Sequence, residues 1–436
     1  MKRATGRRAV AWAALAALSA GCAGTAPDVP DYRGVPKWSS RAIPEARGEF
    51  RASSDGKRTA VRYAGWTTRD FDRYTTYAYN DQRPEPGVQR VTMPTGVAGD
   101  AQKGRALFLN RSKGPCIACH LVPGEDVWPA GSAGPDQSTI GDRKLPDQYL
   151  YQVVWDARVF FPNTVMPPWG TAGIFSSEEI VHIVAYLQTL KGPVAPEKDR
   201  DRNPFTRAKP AGFGDNLDPT NNPAVVLAEE AEPLWAARGP AGKACADCHE
   251  GGVGRAMRGV ATRYPKFVKA YGRVMSVEDF LSVHAAETTG RPLPSESAES
   301  LSLTVLIKRA SNGLPVSVDI ESPEARAALA RGRASFHRRV GERNHSCADC
   351  HTPEAASGKF LSGRVLADVR TGLTKHFPTW RTDRAEIWDM RKRFQWCMTP
   401  LGMNMLAADS IEYAELELYL TSFDNGKPLS VPGIRH

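Results

Sequence analysis

Beyond its first twenty residues the chain has no apolar run long enough to cross a bilayer, which excludes a spanning helix for the mature protein. It also lacks any basic run interleaved with aromatics, and that absence argues against nucleic acid as a partner. The formal charge of +9 over 436 residues is a mild basic excess, suited to anionic substrates, acidic partner proteins or a membrane surface. Cysteine is scarce, eight in all, and only Cys22 and Cys397 stand outside tight pairs. The pairs lack the further paired ligands that zinc would want.

The N-terminus is what sets the compartment. MKRATGRR is a positively charged n-region, AVAWAALAALSA an apolar stretch too short to span, and GCAG a small-residue cleavage site. Residues 1–22 are therefore expected to be an export signal to the periplasm, with Arg7 and Arg8 as ordinary n-region charge. Bacterial lipoprotein signals place a cysteine just after cleavage and usually a leucine three positions before it. Here Ser19 holds that place and Leu18 lies one further back. Lipidation of Cys22 and simple cleavage nearby both stay open; an acyl chain would tether the protein by about 0.8 kcal/mol per buried methylene.

The paired cysteines carry the chemistry. CIACH (116–120), CADCH (245–249) and CADCH (347–351) each match C-x-x-C-H, in which two thiols form thioethers to haem and the histidine ligates iron. Three c-type haems are expected, attached through Cys116 and Cys119, Cys245 and Cys248, and Cys347 and Cys350. His120, His249 and His351 are the expected proximal ligands.

Each haem then needs a sixth ligand. AGDAQKGRALFLN before the first motif and SSEEIVHIVAYLQTL (176–190) after it both read as amphipathic helices, with FFPNTVMPPWG between them. That layout resembles a small class I cytochrome c and makes Met166 the expected distal ligand, its loop restricted by prolines. His182 reads as a surface or packing histidine. Around the second and third motifs two landmarks recur: Pro265 and Pro378, in YPKF and FPTW, and Asn312 and Asn425, in SNGLPVSV and DNGKPLSV, are both 113 apart. A constant offset implies a duplicated domain. The same offset relates His284 to Cys397, each 19 positions after its proline, so His284 is the expected distal ligand of the second haem and Cys397 of the third. The motifs themselves are 102 apart, which an 11-residue insertion around EAASGKFLSGRVLADV reconciles. A buried thiol or a disulfide to Cys22 remains open for Cys397, and a core or surface role for His284. His337, His345 and His376 could also approach a haem, but have no matching histidines in the other repeat. The expected fold is mainly α, three cytochrome c-like domains of which the last two are a tandem repeat, small strands being allowed there. Haem burial is expected to dominate each small core.

CADCH, HFPTW, RFQWC, LELYL and NGKP, in that order, resemble the A subunit of the thiosulfate-oxidising Sox cytochrome SoxAX over residues 226–434. Residues 98–192, with NTVMPP, resemble its one-haem X subunit. The chain thus looks like an X–A fusion: signal 1–22, an N-terminal extension 23–95 that neither family covers, an X-like cytochrome 96–195, a polar linker 196–225, a first A-like haem domain 226–320 and a catalytic A-like haem domain 321–436. The resemblance implies an L-cysteine S-thiosulfotransferase. It would couple thiosulfate to a cysteine thiol of a SoxYZ-type carrier, forming cysteine S-thiosulfonate and passing two electrons to a small cytochrome c. It assigns catalysis to Cys397, which can carry a persulfide in this family, and to Arg393, four residues earlier. Arg391, Lys392 and Arg381 are neighbouring candidate cations, each more simply read as solvated surface. One departure is LSVH at His284, where two-haem members of the family carry a cysteine in an INLC-like segment. A multihaem electron carrier without sulfur chemistry explains the haem motifs equally well, but leaves RFQWC no work beyond ligation. A two-haem peroxidase would need an open iron that Cys397 and His284 would block.

Overall fold

The computed structural model describes residues 71–122, 131–192 and 222–435 apart from 296, 357, 358, 363 and 383, together with an antiparallel pair β1 (Gly48–Ala52) and β2 (Thr59–Tyr63). The expected signal with Cys22, and most of the expected linker, lie outside the described residues. The linker's far boundary is corrected: Asn222 is buried, donating to the Pro432 carbonyl, and a helix begins at Ala224, so the folded chain starts before residue 226.

The first body is built on α1 (Ala101–Leu109), α2 (Asp147–Asp156) and α3 (Ser177–Thr189). Asp100 caps α1 by accepting from the Gln102 and Lys103 amides, and Ser176 with Glu179 closes a capping box on α3. The apolar faces meet in a core that includes Phe108, Ile180, Val184 and Tyr186. α1 and α3 cross at Gly104, where a Cβ would lie 1.9 Å from the His182 carbonyl oxygen, so only glycine admits this approach.

The second body contains α4 (Ala224–Glu230), α5 (Glu232–Ala236), α6 (Cys245–Cys248), α7 (Gly252–Ala256), the hairpin of β3 (Lys266–Val268) and β4 (Arg273–Met275), α8 (Val277–Thr289) and α9 (Ala298–Arg309). The third contains α10 (Pro323–His337), α11 (Ala348–His351), α12 (Pro353–Ala356), the pair β5 (Phe360–Leu361) and β6 (Arg364–Val365), then β7 (Thr379–Arg381), β8 (Glu386–Trp388), α13 (Met390–Leu401), α14 (Ile411–Ser422) and β9 (Gly433–Arg435). β7 pairs antiparallel with β8 and parallel with β9. α10 crosses α14 at Gly332, whose Cβ would lie 2.2 Å from the Glu415 carbonyl oxygen, as α1 crosses α3 at Gly104.

The offset of 113 recurs in the fold. Ser276 and Asp389 cap α8 and α13, and Ser297 and Ser410 cap α9 and α14. The two Asn-Gly turns lie against each other. The Asn312 side chain accepts from Val431 N–H and donates to its carbonyl, while Asn425 does the same with Val318. Each member of one set stands 113 residues from its counterpart in the other, giving a reciprocal contact of the kind a two-fold axis makes.

Residues 71–95 form a strap. On one side the amides of Gln89, Val91 and Met93 donate to Asp156, Gln152 and Gln148 of α2, and Arg158 donates to the Pro86 and Gly87 carbonyls. On the other, Gly341 N–H donates to the Thr75 carbonyl, Tyr79 N–H to Glu412 and Asn344 to Glu85. The strap therefore ties the first body to the third.

Candidate active site and haem attachment

The three C-x-x-C-H motifs share one local geometry. In each, the histidine amide donates to the first cysteine's carbonyl, at 2.9 Å for His120, 3.0 Å for His249 and 2.9 Å for His351. One helical turn thus gathers two thiols and an imidazole, and the six cysteines are free of disulfides. His120 Nδ1 lies 2.7 Å from the Pro135 carbonyl oxygen and His351 Nδ1 lies 2.8 Å from that of Ala367. A carbonyl can only accept, so Nδ1 carries the hydrogen and Nε2 keeps a lone pair for a metal. Burial lowers the affinity of both imidazoles for a second proton, and at His351 the charge of Arg393 acts in the same direction. These residues fit covalent haem.

The second motif brings His249 and His284 together, their ring centroids 6.2 Å apart. An imidazole nitrogen sits about 2 Å from a bound metal, so this spacing accommodates one ion between the rings. Phe280 stacks on His284 at 5.1 Å. In the first body Met166 is half-buried against the core, its amide donating to Thr164 Oγ1. His182 is buried and accepts from the Asp100 amide, a packing position. His345 Nε2 donates to the Val165 carbonyl at 2.5 Å, His337 packs on Phe336, and His376 is buried.

Cys397 and Arg393 lie one turn apart on α13, which Asp389 caps by accepting from the Lys392 amide. Arg393 Nη1 is 2.7 Å from Cys397 Sγ, and its guanidinium lies over the Trp396 ring, 5.1 Å from the centroid. Cys397 is partly buried, free of any disulfide, and packs on the same cluster as Cys347. A helix therefore presents a sulfur with a guanidinium donor on it beside the third attachment motif.

The reading of Arg391 and Lys392 as solvated or substrate-binding cations is corrected. Arg391 is 1% exposed, with Nη2 2.7 Å from Asp279 and Nε 3.1 Å from Glu417. Lys392 bonds Glu386 at 2.6 Å, and Arg381 lies over the Trp388 ring. Arg391 thus ties α13 to α8, the helix of His284, inside a buried cluster with Lys308, Glu278 and Asp389. Burial pushes Glu417 up to about 7 and Asp389 up to about 6, the Glu278 charge adding to both. Both carboxyls hold a proton more tightly folded than unfolded. Their contribution to stability is complete below about pH 4 and is lost as pH rises through about 6 to 7. The melting temperature of the haem-loaded protein is accordingly expected to fall from about pH 5 to about pH 8, and Glu417→Gln to flatten that slope in calorimetry. A slope unchanged in the variant would remove Glu417 as its source.

The first and third motifs are neighbours. Ser362 N–H donates to the Ala118 carbonyl inside CIACH, and the Ser132 and Ala133 amides donate to that of Phe360. Burial pushes the Cys350 thiol up to about 12, and Cys119 makes the largest electrostatic contribution in the same direction. Sequence reasoning missed Tyr77, which the strap places with its hydroxyl 3.5 Å from Cys347 Sγ. No motif surrounds Tyr77, so no sequence signal marked it.

The family model described as SoxA/TsdA, cytochrome c domain, matches residues 230–316 and again 331–429, and that of cytochrome c oxidase, cbb3-type, subunit III matches 99–187. The SoxA subunit of L-cysteine S-thiosulfotransferase from Rhodovulum sulfidophilum is 32% identical over 223 residues, covering 50% of this chain and 75% of its own. That of Pseudaminobacter salicylatoxidans is 29% identical over 216 residues, covering 49% and 73%. The crystal structure of SoxXA from P. pantotrophus overlaps 50% of this chain and 80% of its own at 29% identity, with a TM-score of 0.46. The protein is a c-type cytochrome with more than one cytochrome c domain. Within that class it belongs to the SoxA family of L-cysteine S-thiosulfotransferase subunits, the Rhodovulum relative being 32% identical across three quarters of its length.

Proposed function

We propose that the chain couples thiosulfate oxidatively to a cysteine thiol of a SoxYZ-type sulfur-carrier protein, forming cysteine S-thiosulfonate and passing two electrons through three c-type haems to a small cytochrome c. In balance, R–SH and thiosulfate dianion give R–S–S–SO3⁻, a proton and two electrons. An S–S bond forms, the S–H bond breaks, and both sulfurs that join are oxidised. When bound, the haems take electrons one at a time, methionine ligation raising a potential that thiolate ligation lowers.

The observation that carries this reading is the 2.7 Å approach of Arg393 to Cys397 beside the third motif. A pure electron carrier would use such a donor only to tune a bound haem, whereas a guanidinium with further N–H groups beside the sulfur also suits an anionic substrate. Arg393 holds Cys397 in place and offers its remaining N–H groups to the sulfonate oxygens of a dianion, which a planar fork suits. In this reading Cys397, as thiol or persulfide, receives thiosulfate and passes it to the carrier by thiol–disulfide exchange. Cys397 and His351 would hold the third haem, His249 and His284 the second, His120 and Met166 the first. Residues 96–195 are the X-like cytochrome, 222–320 and 321–436 the repeated halves, and the reciprocal Asn-Gly turns support that duplication. The adjacency of the first and third motifs supports electron passage between them. The protein works in the periplasm, free or tethered through Cys22.

Turnover with thiosulfate, carrier and oxidised cytochrome c tests the proposal. Arg393→Ala is expected to lower kcat/KM for thiosulfate by about a hundredfold, the scale of losing one donor to a developing charge, with haem content unchanged. Unchanged turnover in that variant would reject the role.

A further inference from the structure

Tyr77 lies in a segment that neither matching family model covers, since they begin at residues 99 and 230. It is 1% exposed and packs in the third body's core with Phe336, Met390, Phe394 and Met398. Cys347 and Cys397 both pack against that same cluster. The tyrosine's neighbours in the strap are themselves pinned to the third body. The Thr75 carbonyl accepts from the Gly341 amide at 3.0 Å, and the Tyr79 hydroxyl donates to Glu415. Tyr77 is therefore delivered to the sulfurs by a backbone that cannot shift without breaking these bonds.

We infer that Tyr77 is a positioning residue of the third haem site, its hydroxyl donating to the sulfur of Cys347 and tuning the group bound there. The inference rests on the third haem proposed above. A thioether sulfur has no hydrogen, so once Cys347 is attached the phenol is the only possible donor across the 3.5 Å contact. A hydrogen bond to the attaching sulfur would withdraw electron density from the group it carries, and contacts of surrounding residues with a bound group are among the levers that set its potential. The strap is thereby part of the catalytic third body as well as a tie to the first.

The test compares haem-loaded wild type, Tyr77→Phe and Tyr79→Phe by haem count, visible spectrum and midpoint potential of each haem. Tyr77→Phe keeps the ring and removes the hydroxyl; it is expected to retain three haems and to lower the potential of the third while the first stays where it is. Tyr79→Phe removes a strap hydroxyl that bonds Glu415, and is expected to leave the third potential unmoved. A three-haem Tyr77→Phe protein with the wild-type third potential overturns the inference, as does an equal shift in Tyr79→Phe. A wild-type protein lacking haem at Cys347 and Cys350 overturns the proposed function first, and the two failures are told apart by mass.

Discussion

Replacing Cys397 by serine is expected to abolish thiosulfate-dependent reduction of cytochrome c while leaving three haems attached. In the proposed function attachment rests on Cys116, Cys119, Cys245, Cys248, Cys347 and Cys350, none of which the substitution touches. A serine at this position can still accept from Arg393, whose Nη1 lies 2.7 Å from the present sulfur, so α13 keeps its local bond. What serine cannot do is form and exchange a sulfur–sulfur bond. Loss of a nucleophile costs at least about a thousandfold in turnover, and that is the expected scale here. The measurement is turnover with carrier protein present, alongside a mass spectrum reading haem number. Turnover above about a tenth of wild type would return Cys397 to ligation alone.

The second large effect is on stability. Arg391→Ala should destabilise the haem-loaded protein by about 3–5 kcal/mol, the range for removing one partner from a buried ion pair. Asp279 and Glu417, both buried, lose the cation that faces them at 2.7 and 3.1 Å. Asp279 would keep Arg273, at the longer distance of 3.8 Å, which compensates little. Denaturant unfolding of the purified variant measures the change. A loss below about 1 kcal/mol, the scale of a surface pair, would mean that the site rehydrates.

The local turn of each C-x-x-C-H motif and the Arg393–Cys397 contact were legible because their partners are close in sequence. C-x-x-C-H is a single turn, and a spacing of four brings two side chains onto one helical face. The 113-residue offset was legible too, since turns and prolines mark position whatever surrounds them, and it reappears in the pairing of Asn312 with Val431 and of Asn425 with Val318. Arg391 was not legible. Its partner Asp279 is 112 residues away, and a run of basic residues has the same local signature in water as in a core. Tyr77 was hidden for a related reason: a lone aromatic in an irregular strap carries no period, and only the tertiary path 270 residues long brings it to Cys347.

The crossed asparagine turns also constrain how this protein can change. Because Asn312 completes the backbone of Val431 and Asn425 that of Val318, separating two fragments cut near residue 320 would leave each with a backbone N–H and C=O stripped of their partner. Neither half is a free-standing module that could be lost or exchanged alone. The difference between the two sides lies away from the seam, where one presents an imidazole at residue 284 and the other a sulfur at 397.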